Sequence, residues 1–248
     1  MMLVALLLSL LVGITLGLLG GGGSILTLPI LVYVLGMDEK SAIAMSLIVV
    51  GLTSAFALIS HARRGNVQWR VGLIFAGAGA AGAFLGGLLA AYIPGVWLVR
   101  GFLVMMVATG IAMIRGRKNA PEAAAAKPLQ PLKVVIEGLV VGVVTGLVGA
   151  GGGFLVVPAL ALLGGLPMPM AVGTSLLVIA IKSGFGFAGH ATHVEVDYAL
   201  AAALSASAVV GSVAGGLFAA KVPAASLRRA FGTFVLVMAA FMGWQQFT

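Results

Sequence analysis

The sequence has no cysteine, which excludes disulfides, thiol chemistry and Cys-ligated metals. Charge is scarce as well: 8% of its 248 residues are Asp, Glu, Lys or Arg, against about 25% in soluble domains. No run alternates apolar and polar residues with period two, so membrane-spanning β-strands are excluded. Carboxylates number six, and none falls in the middle of a predicted span, which argues against a carboxylate proton relay and an intramembrane enzyme built on carboxylates. No Walker-type Gly-Lys-Ser/Thr sequence occurs. The glycine clusters follow no strand and have no acidic residue at dinucleotide spacing, so ATP-driven or nucleotide chemistry lacks its motif. The first 20 residues are apolar like a signal peptide, yet no Lys or Arg precedes the run and it continues past any cleavage point. A retained first span is expected.

What is present is apolar surface. Hydrophobic residues make up 61% of the chain and the mean hydropathy is +1.20, with runs that reach the roughly 20 residues needed to cross a bilayer. The composition implies an all-α, polytopic integral membrane protein whose first partner is the lipid bilayer. The net charge of +8, from 14 basic and 6 acidic residues, does not point to nucleic acid. Basic residues sit in short loops, where the positive-inside rule accounts for them, and no basic surface is interleaved with aromatics.

One stretch occurs twice. Gly17-Leu18-Leu19-Gly20-Gly21-Gly22-Gly23-Ser24 is followed by Pro29, and Gly146-Leu147-Val148-Gly149-Ala150-Gly151-Gly152-Gly153 by Pro158. Each copy interrupts a run of Leu, Val and Ile. Clustered glycine opposes a continuous helix, costing about 1 kcal/mol each against alanine. In lipid the freed backbone groups need partners, so such a break is tolerated only inside protein or beside a water-filled cavity. Broken helices at matching positions of two halves mark the substrate site of secondary transporters.

A shift of 129 residues carries Gly17 onto Gly146, Pro29 onto Pro158, Ser46 onto Ser175, Ser54 onto Ser183, His61 onto His190, Pro94 onto Pro223 and Arg100 onto Arg229. Joint alignment of Pro, His, Ser and Arg identifies a duplication. The first transmembrane repeat is expected over 1–114, a basic cytoplasmic linker over 115–131 and the second repeat over 132–248. Predicted segments are 3–19, 24–36, 41–60, 70–92 and 97–114, then 132–148, 153–165, 170–189, 197–220 and 225–246.

If the two segments flanking each glycine break cross together as one span, strongly basic loops fall on both faces. If they form two legs, each repeat has an odd number of legs and the second is inverted. Eleven of the 14 basic residues, from Arg63 and Arg64 through Arg117 and Lys118 to Lys221 and Arg229, then share one side, as the positive-inside rule requires. Because 24–36 is too short to span, the segment is expected to be a half-helix meeting its glycine break inside the membrane.

A glycine turn entering a helix presents backbone N–H groups beside the positive end of the helix dipole, a cradle for an anion. The candidates are Gly20, Gly21, Gly22, Gly23 and Ser24, and Gly149, Gly151, Gly152 and Gly153; the alternative is that the glycines only permit tight helix crossing. Ser46, Thr174 and Ser175 carry hydroxyls that can donate to an anion, or else to their own helix. Lys182 is the one basic residue deep in an apolar helix, with neutral Thr53 as its counterpart. It is a candidate counter-charge, unless it snorkels to an interface. His61 and His190 fall at helix ends, where they can relay protons for coupled transport or cap the helix. His190, His193, Glu195 and Asp197 lack metal-ligand spacing, so no metal is expected. Gly82 with Gly86 and Gly211 with Gly215 are small-xxx-small patterns that join helices within the chain or between copies in a homo-oligomer.

The paired Gly-x-x-Gly-x-Gly-Gly motifs closed by proline, Ala44-Met45-Ser46-Leu47, Gly173-Thr174-Ser175-Leu176, the two histidines, and Gly-Gly-Leu at 86–88 and 215–217 together resemble the sulfite exporter TauE/SafE family. The resemblance covers nearly the whole chain. It implies a multi-pass inner-membrane permease for sulfite, sulfonates or related sulfur-containing or organic anions, without a cofactor. From the residues and the resemblance together, the expected function is secondary transport of a small anion by alternating access. An anion channel and an intramembrane enzyme are the rivals.

Overall fold

The computed structural model describes residues 2–115, 131–148, 153–219 and 222–247, and they are helical apart from short connections. Ten helices follow in order: α1 Met2–Leu19, α2 Gly22–Pro29, α3 Glu39–Arg63, α4 Trp69–Ala90, α5 Gly95–Arg115, α6 Pro131–Val148, α7 Gly153–Pro158, α8 Met168–His190, α9 Tyr198–Ala219 and α10 Ala224–Phe247. Seven of these are long and apolar enough to cross a membrane, and they fall where the apolar runs place them. The expected linker and Lys221 lie largely or wholly outside the described residues.

Punctuation follows the local chemistry. Asp38 caps α3, its carboxylate accepting from the N–H groups of Lys40 at 3.1 Å and Ser41 at 3.3 Å. Gly36, Gly65 and Gly165 take positive φ in the connections, where a residue with a side chain is strained. Pro29 and Pro158 end the α-helical hydrogen-bond pattern of α2 and α7, and each is followed by a π-helical stretch, Ile30–Val34 and Ala159–Leu163. Proline has no N–H to give and its ring crowds the preceding turn. The wider winding then closes with Leu35 N–H on the Ile30 carbonyl at 3.1 Å and Gly164 N–H on Ala159 at 2.9 Å.

The glycine break is a reversal. In one continuous helix, residues 12 and 23 would stand about 16 Å apart along the axis. Instead a Cβ placed on Gly23 would collide with Leu16 and the Val12 carbonyl. Val12, Leu26 and Ile30 form one buried cluster against which Leu8 and Val34 pack. Thus α2 runs back along α1, and the bend is made at Gly20, where φ is +72°. The half-helix expected from the sequence as a second leg is present, and it runs back along α1.

Neighbouring helices have defined directions. In α3 and α8, Leu47 meets Gly186 and Gly51 meets Ser183, so the two run antiparallel. The same holds for α5 and α10, where Gly110 meets Leu236 and Leu103 meets Gly243. By contrast, α1 runs parallel to α9, Gly13 lying on Ala208 and Gly17 on Gly216, and α4 runs parallel to α6, Gly79 lying on Gly142 and Gly86 on Gly146 and Val143.

The small-residue patterns make these parallel contacts. A Cβ on Gly82 would overlap the Leu139 carbonyl, and one on Gly211 or Gly215 the Leu10 or Ile14 carbonyl. The backbones touch, which dispersion rather than water exclusion stabilises in lipid. Large apolar side chains such as Leu3, Val104, Leu132 and Val210 point outward. The interior is closed by contacts such as Phe102 edge-on to Phe154 at 5.3 Å.

Candidate functional site

The reversal brings the start of α2 against the start of α7. A Cβ on Gly21 would overlap the Gly153 carbonyl and stand 2.9 Å from the Phe154 nitrogen. The residue before α2 therefore lies backbone to backbone against the start of α7, which a side chain at Gly21 would prevent. Gly21 is the residue before α2 and offers no side chain to cap its first N–H groups. Gly22 and Gly23 supply N–H groups of that first turn, as does Ser24, of which only the main chain is described. Gly149, Gly151 and Gly152 lie outside the described residues.

The helix α8 reaches the first corner. Ser175 Oγ donates to the Val172 carbonyl at 2.7 Å and approaches the Gly20 carbonyl at 3.2 Å, so this hydroxyl ties α8 to the first reversal. Its counterpart Ser46 donates to Ile43 at 2.8 Å within α3. Thr174 is turned elsewhere. Its Oγ1 accepts from the backbone N–H of Gln68 at 2.9 Å, holding the residue that precedes α4. Both serines and Thr174 are fully buried.

Lys182 is 1% exposed, so it does not snorkel out of the interior. Its stem passes Gly79 of α4, where a Cβ would stand 3.5 Å from the Lys182 Cδ. Its ammonium donates to Thr145 Oγ1 at 2.8 Å. Thr145 in turn donates to Val141 at 2.7 Å or Gly142 at 3.2 Å, so its lone pairs are free to take the lysine proton. The cation thus rests one turn before the second glycine cluster.

The two histidines bind the helix ends that lead into the breaks. His61 Nε2 lies 3.1 Å from the Gly17 carbonyl and His190 Nε2 lies 2.8 Å from the Gly146 carbonyl, each across 44 residues. Those carbonyls belong to the last turns of α1 and α6, where the helix supplies no partner of its own. With Nε2 donating, each Nδ1 is left as an acceptor, buried and without a partner among the described residues. No three His, Asp or Glu side chains converge on a metal position among the described residues.

The fold therefore gathers Gly20, Gly21, Gly153 and Ser175 at one place, and Lys182, Gly146 and His190 around the end of α6. It sends Thr174 to the α3–α4 connection. Thr145 and Gln68, which hold Lys182 and Thr174, were not legible in the sequence, because each meets its partner across 37 or 106 residues.

Comparison with known proteins accords with this geometry. The family model described as "Sulfite exporter TauE/SafE" matches residues 5–242. A probable membrane transporter protein of Xylella fastidiosa (strain 9a5c) is 37% identical over 95% of this chain and 92% of its own length. The probable membrane transporter protein YdhB of Bacillus subtilis is 29% identical over 89% of this chain and 91% of its own. One of Haemophilus influenzae is 26% identical over 96% of each. No solved structure matches.

Proposed function

The chain belongs to the sulfite exporter TauE/SafE family of membrane transporters, and from that premise we propose that it carries a small anion, such as sulfite, a sulfonate or a related organic anion, across the cell inner membrane by alternating access. The observation that carries this proposal is the abutment of the helix starts at Gly21 and Gly153 inside the protein. Backbone N–H groups at such starts favour negative charge without a fixed cation. Ser175 at the first corner and Lys182 at the end of α6 add a hydroxyl and a full charge.

Two inverted repeats, 1–114 and 132–248, supply the moving parts in this proposal. Two observations support inversion, and a third supports the repeat itself. Counterpart helices α3 and α8 run antiparallel, as do α5 and α10; repeats related by an axis along the membrane normal would make them parallel. The return of α2 along α1 gives the first repeat an odd number of legs. Equivalent bonds, His61 to Gly17 and His190 to Gly146, occur in both halves. The basic ends of α3 at Arg63 and α5 at Arg115, and the basic start of α10 at Arg228 and Arg229, then share the cytoplasmic side.

Ser46, Thr174, Ser175 and His190 are 0% exposed, so this conformation is closed to water. Transport requires one packed group of helices to tilt against the other, opening the corners to each side in turn. Proton coupling through the Nδ1 atoms of His61 and His190 is part of the proposal. Reconstitution tests it: proteoliposomes should take up a labelled member of the sulfite, sulfonate and carboxylate set with saturation and show counterflow. Uptake that never saturates, with single-channel currents, would establish a channel instead.

A further inference from the structure

Hydroxyls in these helices have a common solution. Those of Thr27, Ser46, Thr53, Thr145, Ser175 and Ser212 each donate to a carbonyl three or four residues back, the usual way to satisfy a buried hydroxyl in lipid. Ser54 on α3 and Ser183 on α8 do not. Both residues are 0% exposed, and neither Oγ has a partner among the described residues. The two are the same position of the 129-residue repeat. A third such hydroxyl, Ser205, stands alone on α9, where the shifted residue is Ala76.

The two serines occupy one seam. Because α3 and α8 run antiparallel, Gly51 faces Ser183: a Cβ on Gly51 would lie 3.1 Å from the Ser183 Cβ and 4.0 Å from its Oγ. Ser54 lies three residues from Gly51 and so on the same face, one turn or about 4.5 Å along the axis. Val50, Leu176 and Ile179 bury the surroundings in apolar contacts. A hydroxyl turned away from its own backbone in such surroundings is costly unless something outside the chain receives its proton.

We propose that Ser54 and Ser183 form an oxyanion subsite in the α3–α8 seam, each hydroxyl donating to one oxygen of the same small anion. The proposal rests on the transport function above and names where in the protein the anion is recognised. Two donors about one turn apart match two oxygens on one sulfur or carboxyl centre. A cation would require several acceptor oxygens, commonly with a carboxylate, and no carboxylate sits in this seam. Lys182, adjacent to Ser183 in sequence, points to α4 and α6 rather than into the seam, so the two hydroxyls are the groups that contact the anion here. Because the subsite lies between counterpart helices, opening either side moves one hydroxyl relative to the other, so anion binding and alternation are linked.

The test is calorimetric binding of sulfite, sulfate, thiosulfate, methanesulfonate and acetate to purified protein, with the melting temperature in anion-free buffer. Ser54→Ala and Ser183→Ala are each expected to weaken the best oxyanion about tenfold and the double variant about a hundredfold. Melting temperature should hold or rise, since each change removes an unpaired buried hydroxyl. Ser212→Ala, which loses a back-bonded hydroxyl, should bind as wild type. A double variant with wild-type affinity overturns the subsite while leaving anion transport standing. Wild-type protein that binds no oxyanion of the set and moves none in proteoliposomes overturns both.

Discussion

The ammonium of Lys182 donates to the hydroxyl of Thr145 across 2.8 Å, joining the middle of α8 to the last turn of α6. Thr145 is the one hydrogen-bond partner of this lysine among the described residues, and it is neutral. A charge held this way destabilises the fold unless function retains it. Lys182→Met is therefore expected to raise the melting temperature of the purified protein by a few degrees. The same change should weaken anion binding by roughly tenfold to hundredfold, the worth of one charged hydrogen bond. Unchanged affinity would remove Lys182 from the site.

Thr145→Val removes the acceptor and leaves the ammonium buried without it. A loss of about 1–3 kcal/mol in stability is expected, as for any buried donor deprived of its partner. In the Lys182→Met background the same change should cost far less, because nothing there needs the hydroxyl. The difference, read as a double-mutant cycle from denaturation in detergent, measures the contact.

At the meeting of the corners, Gly21→Ala places a methyl group on the Gly153 carbonyl. Backbone must move to admit it, and overpacking of this kind costs about 1–3 kcal/mol. Gly77→Ala makes a fair comparison, since a Cβ there meets nothing within 4 Å and alanine favours the helix. The first variant should melt lower and transport poorly, and the second should melt at or above wild type.

His61→Gln and His190→Gln keep an N–H donor for the Gly17 and Gly146 carbonyls and lack the Nδ1 that can take a proton. Both should fold near the wild-type melting temperature, while His61→Ala and His190→Ala lose about 1–2 kcal/mol with the orphaned carbonyl. If the proposed coupling holds, the Gln variants take up anion without stimulation by an imposed proton gradient. Gradient-stimulated uptake in both variants would take the histidines out of coupling.

Thr174→Val tests a divided role. Its oxygen already accepts from Gln68 N–H, so the change should loosen the start of α4, seen as faster amide exchange at residues 66–70. Anion affinity within about twofold of wild type would separate Thr174 from Ser175, whose hydroxyl lies on the Gly20 carbonyl.

The sequence by itself determined the helices, their ends and the first glycine break, and it carries the 129-residue repeat. Hydropathy, proline and glycine act over a few residues, so Pro29, Asp38 and Gly20 declare their local effect in one dimension. Only the tertiary structure decided that Gly21 lies against Gly153 and that Lys182 finds Thr145. Each depends on which surfaces meet across tens to more than a hundred residues, as when Ser175 reaches Gly20 from 155 positions away. The hydroxyls of Ser46 and Ser54 sit on one helix in similar sequence, yet the first bonds its own backbone and the second has no partner among the described residues. Local propensity does not distinguish them, because the rotamer of a buried serine is set by the neighbour that packs against it.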